Sequence, residues 1–173
     1  MRRIPLLMLG LLLLAAPSFA QQDPVPFIEV SGTYSYVRIS DTKTNYNGAS
    51  MSFAVNPKPW LGIVGDIGGY HEAAPQGFPS GNLMSYLFGP RVSYRRDSRI
   101  TPFAQVLFGG AYDTTSGQTA LAMTAGGGFD LKIAPHVAIR LGQGEYFMTR
   151  FGGSTQNNIR ISTGIVFQFG GAR

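Results

Sequence analysis

The last stretch of the chain, "NNIRISTGIVFQFGGAR" (157–173), alternates from Asn158 to Phe169 without a break. Asn158, Arg160, Ser162, Gly164, Val166 and Gln168 take one parity, and Ile159, Ile161, Thr163, Ile165, Phe167 and Phe169 take the other. Successive side chains of a strand point to opposite faces, so the stretch predicts a strand with one polar and one apolar face. Similar period-2 segments occur earlier, at about 26–38, 48–56, 60–71, 83–95, 102–112, 120–132 and 137–149, separated by Gly, Pro, Asn, Asp and Ser clusters. Most are longer than the roughly 5–6 residues usual in globular proteins, and suit a tilted membrane-spanning strand of roughly 9–11 residues with projecting ends. No stretch after Ala20 has convincing helical periodicity.

The seventh segment breaks parity. With Arg140 on the polar face, Gln143 and Glu145 fall on the apolar one. One extra residue repairs this, so a β-bulge is expected around Gly142 to Gly144. The alternative is that this part lies beyond the lipid, where alternation relaxes. The connections differ in kind as well. "NPKP", "RRDSRI" and "IAPH" are tight, whereas "SDTKTNYN", "EAAPQGFPSG", "DTTSGQT" and "RFGGSTQN" are mostly longer and polar. Short turns at one end and long loops at the other are the asymmetry of bacterial outer-membrane barrels, with both termini at the short-turn, periplasmic end.

The summed faces decide which side is inside. The polar face carries Glu29, Asp66, Arg91, Arg95, Asp130, Lys132, Arg140 and Arg160 among many Gly, Ser, Ala and Thr. The other carries Leu, Ile, Val, Met, Phe and Tyr, and is free of charge outside the disputed seventh segment. A water-facing surface would be rich in Lys and Glu, yet the whole chain has three lysines, Lys43, Lys58 and Lys132. An eight-stranded interior is just wide enough for side chains to fill. Aromatic residues gather toward the segment ends: Trp60, Phe103, Phe167 and Phe169 near the short turns, and Tyr34, Tyr36, Tyr86 and Tyr112 farther along. Two such belts mark membrane interfaces. The expectation is an all-β protein, an eight-stranded antiparallel up-and-down transmembrane β-barrel with its polar face inward.

Composition adds an export route. Residues 1–20, "MRRIPLLMLGLLLLAAPSFA", pair two arginines with an apolar run too short to cross a bilayer of ~30 Å, then end on Ser18-Phe19-Ala20. This reads as a cleaved signal peptide, with the barrel domain over 21–173; a retained anchor helix is the alternative. No cysteine follows the run, which excludes a lipid-modified N-terminus, and the chain has none for disulfides. The net charge of +5 becomes +3, 12 basic against 9 acidic residues, once that segment is removed. That balance, with no basic run longer than Arg95-Arg96, does not point to nucleic acid.

The leader, the alternating strands, the opening "PFIEVSGTYSYVRI" and the ending "GIVFQFG" resemble the small outer-membrane β-barrel family that includes the transmembrane domain of outer-membrane protein A. The resemblance spans the whole mature chain and implies residence in the cell outer membrane. It further implies that Ile165, Phe167 and Phe169 form the C-terminal signal read by the barrel-assembly machinery, with periplasmic chaperones as transit partners. The family's final aromatic is often the last residue; here "GGAR" follows Phe169.

Four classes of function are open to such a chain. The lumen charges can form a salt-bridge plug, which favours a structural or surface-interaction role, or a narrow ion or small-solute path along Arg91, Asp130, Arg140 and Glu29. A lipid A-modifying enzyme needs a nucleophile beside a base. His136 falls in a periplasmic turn, and His71, followed by Glu72, has no serine on its local face. A soluble lipocalin-like carrier would bury the apolar face. The glycine runs at 109–110 and 126–128 precede no helix or Lys-Ser/Thr and are not phosphate loops. The reading is a non-enzymatic barrel with no metal or other cofactor, partnered by outer-membrane lipid. A surface ligand is possible at the loops, which carry Tyr46, Phe78 and Phe151.

Overall fold

In the computed structural model, residues 25–39, 45–72, 81–96, 99–114, 116–151 and 154–172 are described. They form eight strands: β1 (Val25–Ile39), β2 (Asn45–Lys58), β3 (Leu61–Glu72), β4 (Asn82–Ser93), β5 (Ile100–Asp113), β6 (Gln118–Ala134), β7 (Val137–Phe151) and β8 (Ser154–Ala172). The expected signal peptide lies outside the described residues. Each strand pairs antiparallel with the next, and β8 pairs with β1, so the sheet closes into a barrel. Closure leaves no strand edge unpaired, which a bilayer requires.

The closure is staggered. From Ser31, successive partners are Ser52, Asp66, Leu87, Gly109, Ala122, Thr149 and Gln156. Ser31 itself pairs on β8 with Val166, ten residues beyond Gln156. Such a stagger tilts the strands by about 35–45° and fixes which side chains meet across the lumen.

Alternation sorts the residues as the sequence predicts. Phe53, Ile67, Phe88, Phe108, Leu121, Ile159, Ile161, Ile165, Phe167 and Phe169 stand on the exposed outer surface. Glu29, Asp66, Arg91, Asp130, Arg140 and Arg160 are buried within. In water this outer surface would cost free energy over its whole area. In lipid it is the favourable arrangement. Tyr34, Tyr86 and Tyr112 are exposed toward the far rim, and Trp60 is exposed at the turn end beneath the ammonium of Lys58, 5.6 Å from its ring centre. Tyr36 is half-buried on the outer face, its hydroxyl donating to Asn45 Oδ1 at 2.8 Å.

Phe103 departs from the expectation. It is only 6% exposed and points into the lumen, not to an interface belt. It shares parity with Gln105 and Leu107, both buried, and its ladder partner is Gly128, which leaves room for the ring.

The bulge on β7 is present, slightly earlier than its expected centre. Pairing slips between Arg140 and Gln143 on both edges of the strand. Leu141 and Gly142 share one outward step, so Arg140, Gln143 and Glu145 all point inward. The Thr163 hydroxyl donates to the Arg140 carbonyl at 2.8 Å, tying β8 to β7 at the slip.

Two of the connections at the far rim are tighter than the sequence suggests. β7 and β8 pair out to Phe151 and Ser154, leaving two residues between them. β5 and β6 are joined across Thr114 to Gly117, where Gly117 adopts φ +69°, a conformation that favours glycine. Polar side chains did not end these strands, because ladder pairing continues past the lipid wherever two backbones stay side by side.

Candidate functional site

The strands converge on one interior. Near the end bearing the termini, β1 supplies Glu29, β4 supplies Arg91 and Arg95, and β8 supplies Gln168. Glu29 Oε1 accepts from Arg95 Nη2 at 2.9 Å and from Gln168 Nε2 at 3.2 Å, while Oε2 lies 3.6 Å from Arg91 Nη1. Arg95 also donates to the Pro59 carbonyl at 2.8 Å, tying this cluster to the β2–β3 turn.

From Arg91 a chain of polar groups crosses the lumen. Arg91 Nε donates to Gln105 Oε1 at 2.9 Å, and Gln105 Nε2 donates to Glu145 Oε1 at 2.8 Å. Arg160 Nε donates to Glu145 Oε2 at 2.6 Å. Arg160 Nη1 then reaches Asp66 Oδ1 at 3.0 Å and the Tyr70 hydroxyl at 2.7 Å on the opposite wall. Gly126 makes room for this chain: a Cβ there would lie 2.8 Å from Glu145 Cγ and 2.1 Å from the Gly144 carbonyl oxygen.

A second cluster joins β6 and β7. Arg140 grips Asp130 with two bonds, Nε to Oδ1 at 2.8 Å and Nη2 to Oδ2 at 3.0 Å, and Nη1 donates to Gln143 Oε1 at 2.8 Å. This paired geometry is the strong form of the arginine–carboxylate contact. Phe103 sits between the clusters, its ring centre 4.7 Å from the Arg91 guanidinium carbon and 4.6 Å from that of Arg140. One ring thus lies against two like charges, each gaining a cation–π contact.

Among the described residues, these ion pairs join four carboxylates (Glu29, Asp66, Asp130, Glu145) to four arginines (Arg91, Arg95, Arg140, Arg160). Buried charge is costly unless paired, and the two signs balance here. Lys132 is half-buried near the termini end, below Asp130 on β6. Hydroxyl pairs line the β1 wall: Ser31 with Ser52 at 2.5 Å, Thr33 with Ser50 at 2.7 Å and Ser35 with Ser162 at 2.8 Å.

Toward the far rim the interior changes character. Val37, Tyr70, Leu83, Leu87, Ala111, Ala122 and Phe147 are buried and belong to one apolar cluster, with Tyr46 packed against it. The Phe147 ring lies 5.9 Å from the Arg160 guanidinium, where the two regions meet. The candidate lumen residues read from the sequence thus fall on one interior surface, and Glu29, Asp66, Arg91, Arg95, Asp130, Arg140 and Arg160 join the ion pairs above. Sequence reasoning missed Gln105, Gln143, Glu145, Tyr70 and Phe103 as members, and the apolar layer altogether. Inward parity was the available signal for each.

The two histidines stand apart from this interior. His71 Nδ1 is 2.6 Å from Asn82 Oδ1 on the outer surface, and His136 Nδ1 is 3.1 Å from the Gln168 carbonyl oxygen at the β6–β7 turn. Among the described residues, no group of three or more His, Cys, Asp and Glu is placed to hold a metal ion.

No family model matches the chain, and no curated protein matches its sequence. Solved structures do match its fold. The crystal structure of neisserial surface protein A (NspA) superposes with a TM-score of 0.60 at 14% identity, covering 82% of this chain and 96% of that one. The outer-membrane protein OprG from Pseudomonas aeruginosa also gives a TM-score of 0.60, at 7% identity, covering 84% of this chain and 97% of that one. The fold is that of the small outer-membrane barrels, and the apolar outer belt is the surface such a barrel turns to lipid.

Proposed function

We propose that this barrel is a non-enzymatic integral outer-membrane protein with a closed lumen, acting as a structural or surface-interaction element. One observation carries the reading: the contact chain Asp66–Arg160–Glu145–Gln105–Arg91–Glu29 spans the interior, and an apolar layer caps it. An ion entering this layer would shed its hydration with few groups, among them the Thr149 hydroxyl and the Asn158 amide, to replace it. An ion meeting the charged layer would have to break these ion pairs and leave buried charges uncompensated.

With the lumen closed, exchange with the surroundings falls to the outer wall and the rims. The termini end faces the periplasm in this reading, and the far rim faces outward. Residues 1–20 act as the cleaved leader. Ile165, Phe167 and Phe169, exposed along β8, are the element presented to the barrel-assembly machinery after transit with periplasmic chaperones. The far-rim connections are the place for a surface ligand. A catalytic role finds no support in the histidines, whose Nδ1 atoms engage an amide and a backbone carbonyl instead of a serine or a carboxylate.

Liposome swelling tests the closed lumen. Vesicles carrying the refolded barrel should shrink and recover in small sugars and amino acids at the rate of empty vesicles. Solute-dependent swelling that scales with the amount of barrel would reverse the reading.

A further inference from the structure

The outer wall is not uniformly convex. On β3 the outward positions read Ile63, Gly65, Ile67, Gly69 and His71, and Gly65 lies between Phe53 of β2 and Phe88 of β4 on the ladder. A Cβ at Gly65 would meet nothing within 4 Å, so the two phenyl rings stand as walls over bare backbone. Met51, Ile67 and Tyr86 extend those walls, and the recess has a volume of about 670 Å³. It is open to the membrane side, and its lining is almost wholly apolar.

Six residues farther along β3 the same outer face reaches His71, whose ladder neighbours are Asn47 and Asn82. This row is polar and carries no carboxylate, lysine or arginine. The Tyr34 hydroxyl donates to Asn47 Oδ1 at 3.1 Å and His71 Nδ1 meets Asn82 Oδ1 at 2.6 Å, so these groups are held in place by their neighbours. The amide nitrogens of Asn47 and Asn82 and Nε2 of His71 remain to meet a ligand. Between recess and row, Gly69 and Ala49 are the small outward residues, and a Cβ at Gly69 would also meet nothing within 4 Å.

The spacing matches one leaflet. Six residues of strand span about 20 Å, and at a tilt of roughly 40° that is about 15 Å of depth, half of a ~30 Å hydrocarbon core. A lipid whose headgroup met the Asn47–His71–Asn82 row would therefore bring its chain end to the depth of Gly65. We propose that this recess binds one acyl chain of an outer-leaflet glycolipid, with its hydroxyl-bearing headgroup on that row. The amides and the imidazole can hydrogen-bond to sugar hydroxyls, whereas a choline head offers no donor in return. The site needs the bilayer and the outward far rim, and is independent of whether the lumen conducts.

The test uses the full barrel in phosphatidylcholine nanodiscs doped with a diacyl glycolipid of the same chains, read by native mass spectrometry of the released protein. Wild type should emerge with one retained glycolipid in preference to phosphatidylcholine. Gly65→Leu fills the recess and should lower retention about tenfold, the worth of one displaced aliphatic contact. Gly65→Ala should fall between the two. Gly144→Leu makes the same change at an outward glycine on β7, where a Cβ also meets nothing within 4 Å, and should retain lipid as wild type does. His71→Ala should abolish the glycolipid preference. Each variant is first shown to fold by heat-modifiable gel migration. Wild-type retention in Gly65→Leu, equal loss in Gly144→Leu, or no glycolipid preference in wild type would each overturn the proposal.

Discussion

Between the termini and the middle of the barrel, the interior is filled by arginines and carboxylates in contact. From the middle to the far rim, the same strands turn in Val37, Leu83, Leu87 and Phe147. Both halves exclude solvent, but by different means. The apolar half depends on volume, and loss of one side chain leaves a cavity its neighbours can partly collapse into. The charged half depends on valence. Its members neutralise one another, so loss of an arginine such as Arg140 or Arg160 leaves a carboxylate buried and uncompensated. The barrel thus joins a tolerant seal to an intolerant one.

The largest break in this comparison should come from Arg160→Ala. It strands both Asp66 and Glu145 and should cost about 3–5 kcal/mol in reversible urea unfolding from lipid vesicles. The single tryptophan, Trp60, lies on the exposed outer surface and can report the transition. Leu87→Ala, in the apolar half, should cost less, about 2–3 kcal/mol. A cost equal to or above that of Arg160→Ala would abolish the distinction between the halves.

Phe103→Leu sharpens the boundary. It keeps much of the bulk but removes the ring faces held against Arg91 and Arg140, and about 1–2 kcal/mol should follow. A neutral result would make Phe103 filler, and not a member of the charged half. The smallest effect should come from deleting Gly142. Leu141 would then occupy the shared outward step alone, with Arg140, Gln143 and Glu145 still inward, and heat-modifiable folding should persist. Deleting Gly144 also closes the bulge and keeps Glu145 inward, but it turns Gln143 to the outer face and takes its amide from Arg140, so it should destabilise more than deleting Gly142 does.

The fold was legible because period-2 alternation runs through every strand and the two faces differ so sharply in chemistry. The bulge was legible for the same reason, since Arg140 and Glu145 could not both face inward without an extra residue. The contacts were not. Arg160 meets Asp66 and Tyr70 from across the barrel, and that depends on the ten-residue stagger of closure, which no single strand encodes. Phe103 was assigned to a belt by residue type, when its parity with Gln105 already set it inside. The apolar layer was missed in a similar way: Leu83 and Leu87 share parity with Ser85, but the face had been typed by its charges.

The closed lumen is the central claim, and planar-bilayer recording on the purified, refolded barrel tests it most directly. The account predicts a bilayer that stays silent under applied voltage after insertion, apart from brief and irreproducible events. Steady unitary currents of reproducible size would contradict it.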